Sequence, residues 1–172
     1  MSDLSGVDHN ADTLVRLFND AFERSEGTIL VGGATEPYFA PGNPSRIHFR
    51  ADYFRSALHE VAHWCLAGPA RRSLPDYGYW YSADGRDLSR QQAFFAVEAR
   101  PQALEALFCE ACGVAFSPSL DNTGCEVPNW VVVAFQRRLA SSRRRFEIAG
   151  LPPRAQRFHD ALRDAFSARA VA

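Results

Sequence analysis

Two histidines four residues apart, with a glutamate directly after the first, are the residues of this chain best suited to chemistry. His59, Glu60 and His63 form an H-E-x-x-H pattern within the stretch ALHEVAHWCLAG. On a helix, residues four apart share one face with their Cβ atoms roughly 5–6 Å apart, so both imidazoles can bind one cation. Their apolar neighbours make two unpaired imidazoles costly to bury, which favours a metal site over two structural histidines.

A third ligand must come from another part of the chain. The segment FFAVEARPQALEAL (94–107) offers two carboxylates, Glu98 and Glu105. Glu98 lies among phenylalanine and valine residues, so we predict that its carboxylate turns inward and completes the site rather than staying on the surface. His48, in the strand-like RIHFR, is a weaker alternative ligand.

The ligand set leaves two metals open. With Zn²⁺, two histidines and a carboxylate would bind a water molecule that Glu60 deprotonates, as in a zinc metallopeptidase. With Fe²⁺, the same ligands form a facial triad with open positions for O₂ and substrate. The motif alone favours hydrolysis. The extended peptidase pattern H-E-x-x-H-x-x-G-x-x-H is excluded, however, because Leu66 and Pro69 stand in place of its glycine and third histidine.

The elements that position these residues can be predicted from apolar periodicity. Length and composition indicate one domain covering residues 1–172, and the pattern predicts an α+β fold that is predominantly helical. Its motif helix is zincin-like, and TILVGG, PYFAP and RIHFR predict a small antiparallel sheet. Pro101 should end or kink the helical segment 89–112 near Arg100. The predicted helical segments are 10–24, 51–67, 89–112, 129–146 and 153–166.

Charge is unevenly distributed along the chain. Residues 1–136 carry 10 arginines against 17 acids, whereas residues 137–172 carry 9 arginines against 3 acids. One interpretation of the basic end is a solvated helix face without a function of its own. The other is a surface that docks an acidic protein partner near the metal cleft. The candidate docking residues are Arg137, Arg138, Arg143, Arg144 and Arg145. Without a signal peptide or an apolar span, the chain is predicted to be cytoplasmic, away from membranes.

A longer run of residues is more specific than the motif. SALHEVAHWCLAGPARRSLPDYGYWYSADGRD (56–87) is followed by FFAVEARPQALEALFC (94–109) and later by VVVAFQRR (131–138). These segments closely resemble the elongation factor P hydroxylase family of bacteria. The resemblance implies an enzyme that hydroxylates an acceptor lysine of elongation factor P after that lysine has received a β-lysyl group. Elongation factor P is thus the expected partner, and direct binding of nucleic acid is not expected.

The resemblance also implies a two-histidine, one-carboxylate centre, which carries over to His59, His63 and Glu98. Inserting oxygen at an unactivated C–H bond requires a redox metal, so Fe(II) with O₂ as cosubstrate is expected and Zn²⁺ is unsuitable. Glu60 would then orient a ligand or move a proton. 2-Oxoglutarate is not expected, because the family does not belong to the β-barrel oxygenases and the chain has no H-x-D triplet.

The aromatic loop after the motif helix could wall a slot for the long lysyl side chain, with acids receiving its ammonium groups. The alternative is an aromatic cluster that packs the loop onto the core. The candidate substrate-binding residues are Tyr77, Tyr79, Trp80 and Tyr81, together with Asp76, Asp84 and Asp87.

Overall fold

A computed structural model describes residues 9–79, 86–121 and 126–167 of the chain. Over these residues the fold is mostly helical with a small sheet, as predicted. In chain order the elements are α1 (Ala11–Glu26), β1 (Thr28–Ala34), β2 (Tyr38–Ala40), β3 (Ser45–Arg50), α2 (Phe54–Leu66), α3 (Pro69–Arg72), a 3₁₀ turn (Pro75–Gly78), α4 (Leu88–Cys112), α5 (Asn129–Ala149) and α6 (Pro153–Ser167).

The sheet has three strands in the order β1–β3–β2. β2 pairs antiparallel with β3, as predicted, but β1 pairs parallel with β3, so the predicted wholly antiparallel sheet is wrong. β2 carries the chain back along the far edge, so that β3 starts at the same end as β1 and Thr28 lies opposite Ser45. Side-chain alternation specifies which face of a strand is buried, whereas strand direction depends on this connection.

Helix α2 carries the H-E-x-x-H pattern. One side of it, including Leu58, Val61 and Trp64, is fully buried, and the polar residues of the motif lie on the other side. Its C-terminal end is held by Arg154 of α6, whose guanidinium donates hydrogen bonds to the carbonyls of Cys65 at 3.2 Å and Ala67 at 2.6 Å. A cation at this end also interacts favourably with the helix dipole.

Helix α4 runs unbroken through Pro101, so of the predicted end or kink near Arg100, the end is wrong. A proline inside a helix removes one hydrogen bond and costs about 3 kcal/mol or more. Residues 101–106 are all buried, however, and α4 packs against α2, α5 and α6. Burial on several sides offsets the local cost. As a result Glu98 and Glu105, seven positions apart, stay on the same face of one helix.

Nearly all the buried apolar residues of these elements form one cluster. An aromatic group lies within it, where the ring of Trp64 contacts Phe18 at 5.1 Å and Phe22 at 4.9 Å between centroids. The rings of Phe18 and Phe158 join α1 to α6 at 5.9 Å. Together these contacts pack the buried side of α2 against α1, and α1 against α6. Among the described residues, no helix has the length and apolar character needed to cross a membrane.

Candidate metal centre

Two histidines on α2 and one glutamate on α4 converge on a common point. Nε2 of His59 lies 3.0 Å from Nε2 of His63. The carboxylate of Glu98 faces both rings: its Oε2 lies 3.4 Å from Nε2 of His59 and its Oε1 lies 3.1 Å from Nε2 of His63. Ligand atoms about 2.1 Å from a metal are about 3.0 Å apart at right angles and about 3.4 Å apart at tetrahedral angles. The spacing of these three side chains, each offering one ligand atom, therefore fits one divalent cation.

The charges of this group fit a cation as well. Burial lowers the pKa of His59, but its hydrogen bond to Glu105 and the charges of Glu98, Glu105 and Glu60 outweigh burial and raise that pKa to about 10. Burial raises the pKa of Glu98, but His63 and His59 outweigh burial and lower it to about 2. Without a metal, the raised pKa of His59 favours a second proton on this imidazole. A bound cation would replace that positive charge, since metal ligands must be deprotonated.

The inward orientation predicted for Glu98 is confirmed, because only 2% of this residue is exposed. Glu105, the other candidate, lies behind the histidines: its Oε2 is 3.0 Å from Nδ1 of His59, the ring nitrogen that faces away from the other ligands. His48 lies on β3 with its ring stacked on Tyr38 at 4.1 Å, and it is not part of the converging group.

Two further side chains support the ligands. Arg55 donates to Oε1 of Glu105 from Nη2 at 2.6 Å and from Nε at 3.1 Å. The side-chain nitrogen of Gln102 lies 3.5 Å from Oε2 of Glu98 and donates a hydrogen bond to the carbonyl of Ser119 at 3.0 Å. The side-chain oxygen of Gln102 accepts the N–H of Ser119 at 2.9 Å. Carboxylate and amide groups behind the ligands are typical of metal sites, where they fix ligand orientation.

The three ligand atoms face a pocket of about 520 Å³. Its walls come from α2, α4, the 3₁₀ turn, residues 36–38 and residues 119–121. Arg55 is the arginine among the described lining residues, against several carboxylates. These are Glu36, Glu60, Asp76, Glu98, Glu105 and Asp121. A cleft lined mainly by one sign of charge concentrates ligands of the opposite sign, so this pocket favours cationic groups.

Comparison with known proteins assigns the chain to a family. Residues 17–172 match the sequence profile of the family described as elongation factor P hydroxylase. The chain is also 37% identical over 160 residues to the elongation factor P lysine hydroxylase of Haemophilus influenzae, with 91% of this chain and 89% of that protein aligned. The chain belongs to the elongation factor P hydroxylase family. The matched range includes both histidines and Glu98.

In this hydroxylase-family chain, the start of the aromatic loop lies beside the metal ligands. The 3₁₀ turn has positive φ at Asp76 (48°), Tyr77 (59°) and Gly78 (72°). Asp76 stabilises it by accepting the N–H of Phe39 at 2.8 Å, and the ring of Tyr77 stacks on Phe39 at 4.5 Å. Strained backbone of this kind often occurs at functional sites. Tyr79 also lines the pocket, with the guanidinium of Arg71 lying 4.4 Å from its ring centre.

The remaining candidates for substrate binding are placed differently. Asp87 is the N-cap of α4, where its side chain accepts the N–H of Arg90 at 2.9 Å, and it is not one of the described residues that line the pocket. Trp80, Tyr81 and Asp84 lie outside the described residues. Glu60 lines the pocket next to both histidines, and burial raises its pKa.

The candidate docking arginines lie on α5, away from the pocket lining. Arg143 forms ion pairs with Glu110 at 2.7 Å and Glu147 at 2.9 Å. The other candidates are exposed and share the outward face of the helix with Trp130 and Ile148, which are 59% and 74% exposed. They are Arg137, Arg138, Arg144 and Arg145.

Sequence reasoning missed Arg55 and Gln102. A signal for both was present, since Arg55 precedes His59 by four residues and Gln102 follows Glu98 by four. Residues four apart on a helix share a face, so polar side chains at that spacing from a ligand are candidates for its supporting contacts.

Proposed function

We propose that this protein hydroxylates elongation factor P on its β-lysylated acceptor lysine, at a metal held by His59, His63 and Glu98. The observation that carries the proposal is the convergence of these three side chains in an acidic pocket of a chain that belongs to the elongation factor P hydroxylase family. Its relative from Haemophilus influenzae is named a lysine hydroxylase of that factor. We expect the reaction to take place in the cytoplasm, without nucleic acid or membrane.

Insertion of oxygen into an unactivated C–H bond requires a redox metal, which we propose to be Fe(II). Bound by two imidazoles and a carboxylate, Fe(II) would supply the activation of O₂ that no protein side chain can provide. One oxygen atom enters the C–H bond, and the other leaves as water with two electrons and two protons from a reductant. The protein's part is to hold the metal with one side open to the pocket and to position the substrate. We do not expect 2-oxoglutarate to take part.

The pocket lining suits a lysyl side chain extended by a second lysyl group. Its carboxylates, among them Asp76, would receive ammonium groups, and the rings of Tyr77 and Tyr79 would contact the aliphatic part. We propose the same role for Trp80, Tyr81 and Asp84, whereas Asp87 is better explained as a helix cap.

Glu60 is proposed to act on protons in the pocket rather than on the metal. The described residues provide it with no hydrogen bond to either histidine, which favours moving a proton over orienting a ligand. A zinc peptidase would use a glutamate at this position as the base that activates water. The position of Glu60 in the pocket therefore favours that second candidate function, which the experiment below separates from hydroxylation.

The experiment is incubation of β-lysylated elongation factor P with the protein, Fe²⁺, a reductant and air. The expected result is a mass gain of about 16 Da on the factor, as insertion of one oxygen atom requires. His59→Ala, His63→Ala or Glu98→Ala should abolish the gain, Glu60→Gln should weaken it less, and Glu110→Gln on the exposed end of α4 should leave it unchanged.

Two results would refute the hydroxylase assignment. One is a mass gain that persists when oxygen is removed. The other is a cleaved peptide bond as the product, lost on changing Glu60 to Gln, which would establish the peptidase instead.

A further inference from the structure

The carboxylate of Glu105 is divided between two partners. Its Oε1 accepts two hydrogen bonds from Arg55, at 2.6 and 3.1 Å, and its Oε2 lies 3.0 Å from Nδ1 of His59. Arg55 is itself fixed, because it also donates to the carbonyl of Ser117 at 2.8 Å and to its hydroxyl at 3.2 Å. The side chain of Glu105 is 4% exposed. Each carboxylate oxygen of Glu105 therefore has its own hydrogen-bond partner: Arg55 for Oε1 and His59 for Oε2.

We propose that Glu105 is a positioning residue of the metal centre: held by Arg55, it takes the Nδ1 proton of His59 as a hydrogen bond and leaves Nε2 bare and aimed at the metal. This inference rests on the metal-dependent function proposed above. It gives Glu105, not the motif residue Glu60, the task of orienting a ligand.

The argument follows from the two tautomers of imidazole. A neutral imidazole has one N–H and one lone pair, and the hydrogen bond at one nitrogen decides which nitrogen can bind a metal. An ionised carboxylate can only accept, so Oε2 of Glu105 requires the proton to be on Nδ1. In the neutral imidazole that binds a metal, the lone pair is then on Nε2, the atom that lies 3.0 Å from His63 and 3.4 Å from Glu98.

Replacing Glu105 by Gln should reverse this preference. A guanidinium has only donors, so the new amide must turn its oxygen toward Arg55 and its NH₂ toward His59. That NH₂ can only donate to Nδ1, which moves the histidine proton onto Nε2 and blocks the metal-binding nitrogen. Replacing Glu105 by Ala removes the same charge but leaves Nδ1 free to donate to water. The smaller side chain should therefore harm metal binding less than the larger one.

The test is titration of the metal-free protein with Co²⁺, followed by calorimetry and by the visible absorption of the bound ion. Glu105→Gln should raise the Kd for Co²⁺ about 10- to 100-fold, the usual effect of losing a group that orients a ligand. Glu105→Ala should raise it less. Glu110→Gln, on the same helix and also paired with an arginine, at 2.7 Å to Arg143, is the matched control and should change Kd by less than about twofold.

Thermal unfolding of the metal-free variants separates this effect from damage to the fold. Ala should be the less stable replacement, because it also leaves a cavity, while Gln should be the weaker metal binder. If Glu105→Ala does not fold, Arg55→Met combined with Glu105→Gln takes its place. Without the guanidinium the amide oxygen can turn to His59, so the double variant should bind Co²⁺ more tightly than Glu105→Gln. This gain in affinity should be larger than any gain that Arg55→Met alone produces in the parent protein.

The outcomes distinguish this inference from the proposed function. Failure of the parent protein to bind Co²⁺ would overturn the metal centre itself. Normal binding by the parent with an unchanged Kd in Glu105→Gln, or weaker binding by Ala than by Gln, would overturn the positioning role and leave the proposed function standing.

Discussion

The hydroxyl group of Tyr77 is a buried polar group whose removal should stabilise the protein. The residue is 5% exposed, and among the described residues its hydroxyl oxygen has no hydrogen-bond partner. A buried group left unsatisfied costs about 1–3 kcal/mol, whereas the gap left by one oxygen atom costs about 1 kcal/mol at most. Tyr77→Phe keeps the ring that stacks on Phe39 at 4.5 Å. The net gain should be about 1 kcal/mol, or roughly 2–4 °C in Tm for a chain of this size.

The same substitution should alter stability at alkaline pH. Burial, followed by the charge of Glu60, raises the pKa of Tyr77 well above its usual value. From about pH 10 upward the unfolded chain therefore releases the phenolic proton while the folded chain retains it. The unfolded state then binds fewer protons, so stability falls as pH rises. Tyr77→Phe removes this loss, and its advantage over the parent should grow above about pH 10.

Urea unfolding followed by circular dichroism, at pH 8 and at pH 10.5, is the assay. Tyr79→Phe is the matched control, since this half-buried residue lies on the same loop and its ring remains available to Arg71. It should change the free energy of unfolding by less than about 0.5 kcal/mol. A loss of more than about 1 kcal/mol in Tyr77→Phe at pH 8 would mean that the hydroxyl has a stabilising partner, and the reasoning above would be wrong.

Three further predictions follow from the site and the charge distribution. Co²⁺ at about 100 times its Kd should stabilise the parent protein by about 2.7 kcal/mol and raise Tm by roughly 5–11 °C, and His63→Ala should lose this shift in a thermal melt. Changing Arg137 and Arg138 to Glu should slow modification of intact elongation factor P most at low salt; rates equal to the parent's at every salt concentration would reduce the segment to a solvated face. Burial raises the pKa of Cys109 to about 11 and of Cys112 to about 12, so iodoacetamide at pH 8 should modify them, by mass spectrometry, only after unfolding.

The sequence predicted the convergence of His59, His63 and Glu98 better than the shape of the sheet. A helix places His59 and His63 on one face whatever surrounds it, and the apolar neighbours of Glu98 indicated that it points inward. These are local properties. The parallel pairing of β1 with β3 depends on where β2 takes the chain, and a strand pattern carries no information about that path.

The failure at Pro101 has the same cause. Local propensity predicts a break at this residue, but helix stability in a folded protein comes mostly from packing, and residues 101–106 are buried. The role of Tyr77 was also open from the sequence, where an aromatic residue suits a substrate slot and a packed loop equally well. Its stacking on Phe39 and its place beside the pocket show that the same ring serves the core and lines the cavity.

The continuity of α4 has a consequence for the chemistry of the motif. An H-E-x-x-H helix provides two nitrogens and a glutamate, and these residues alone suit either peptide hydrolysis or oxygen activation. What differs is the helix packed against them. Because α4 does not break at Pro101, it presents Glu98 to the open side of the histidines and Glu105 to the far nitrogen of His59. One helix thus supplies both the third ligand and the carboxylate that orients the first. A chain with the same motif but a helix broken at this proline could supply only one of the two, so changing the register of α4 after Pro101, for example by inserting one alanine, should weaken metal binding even with all three ligands present.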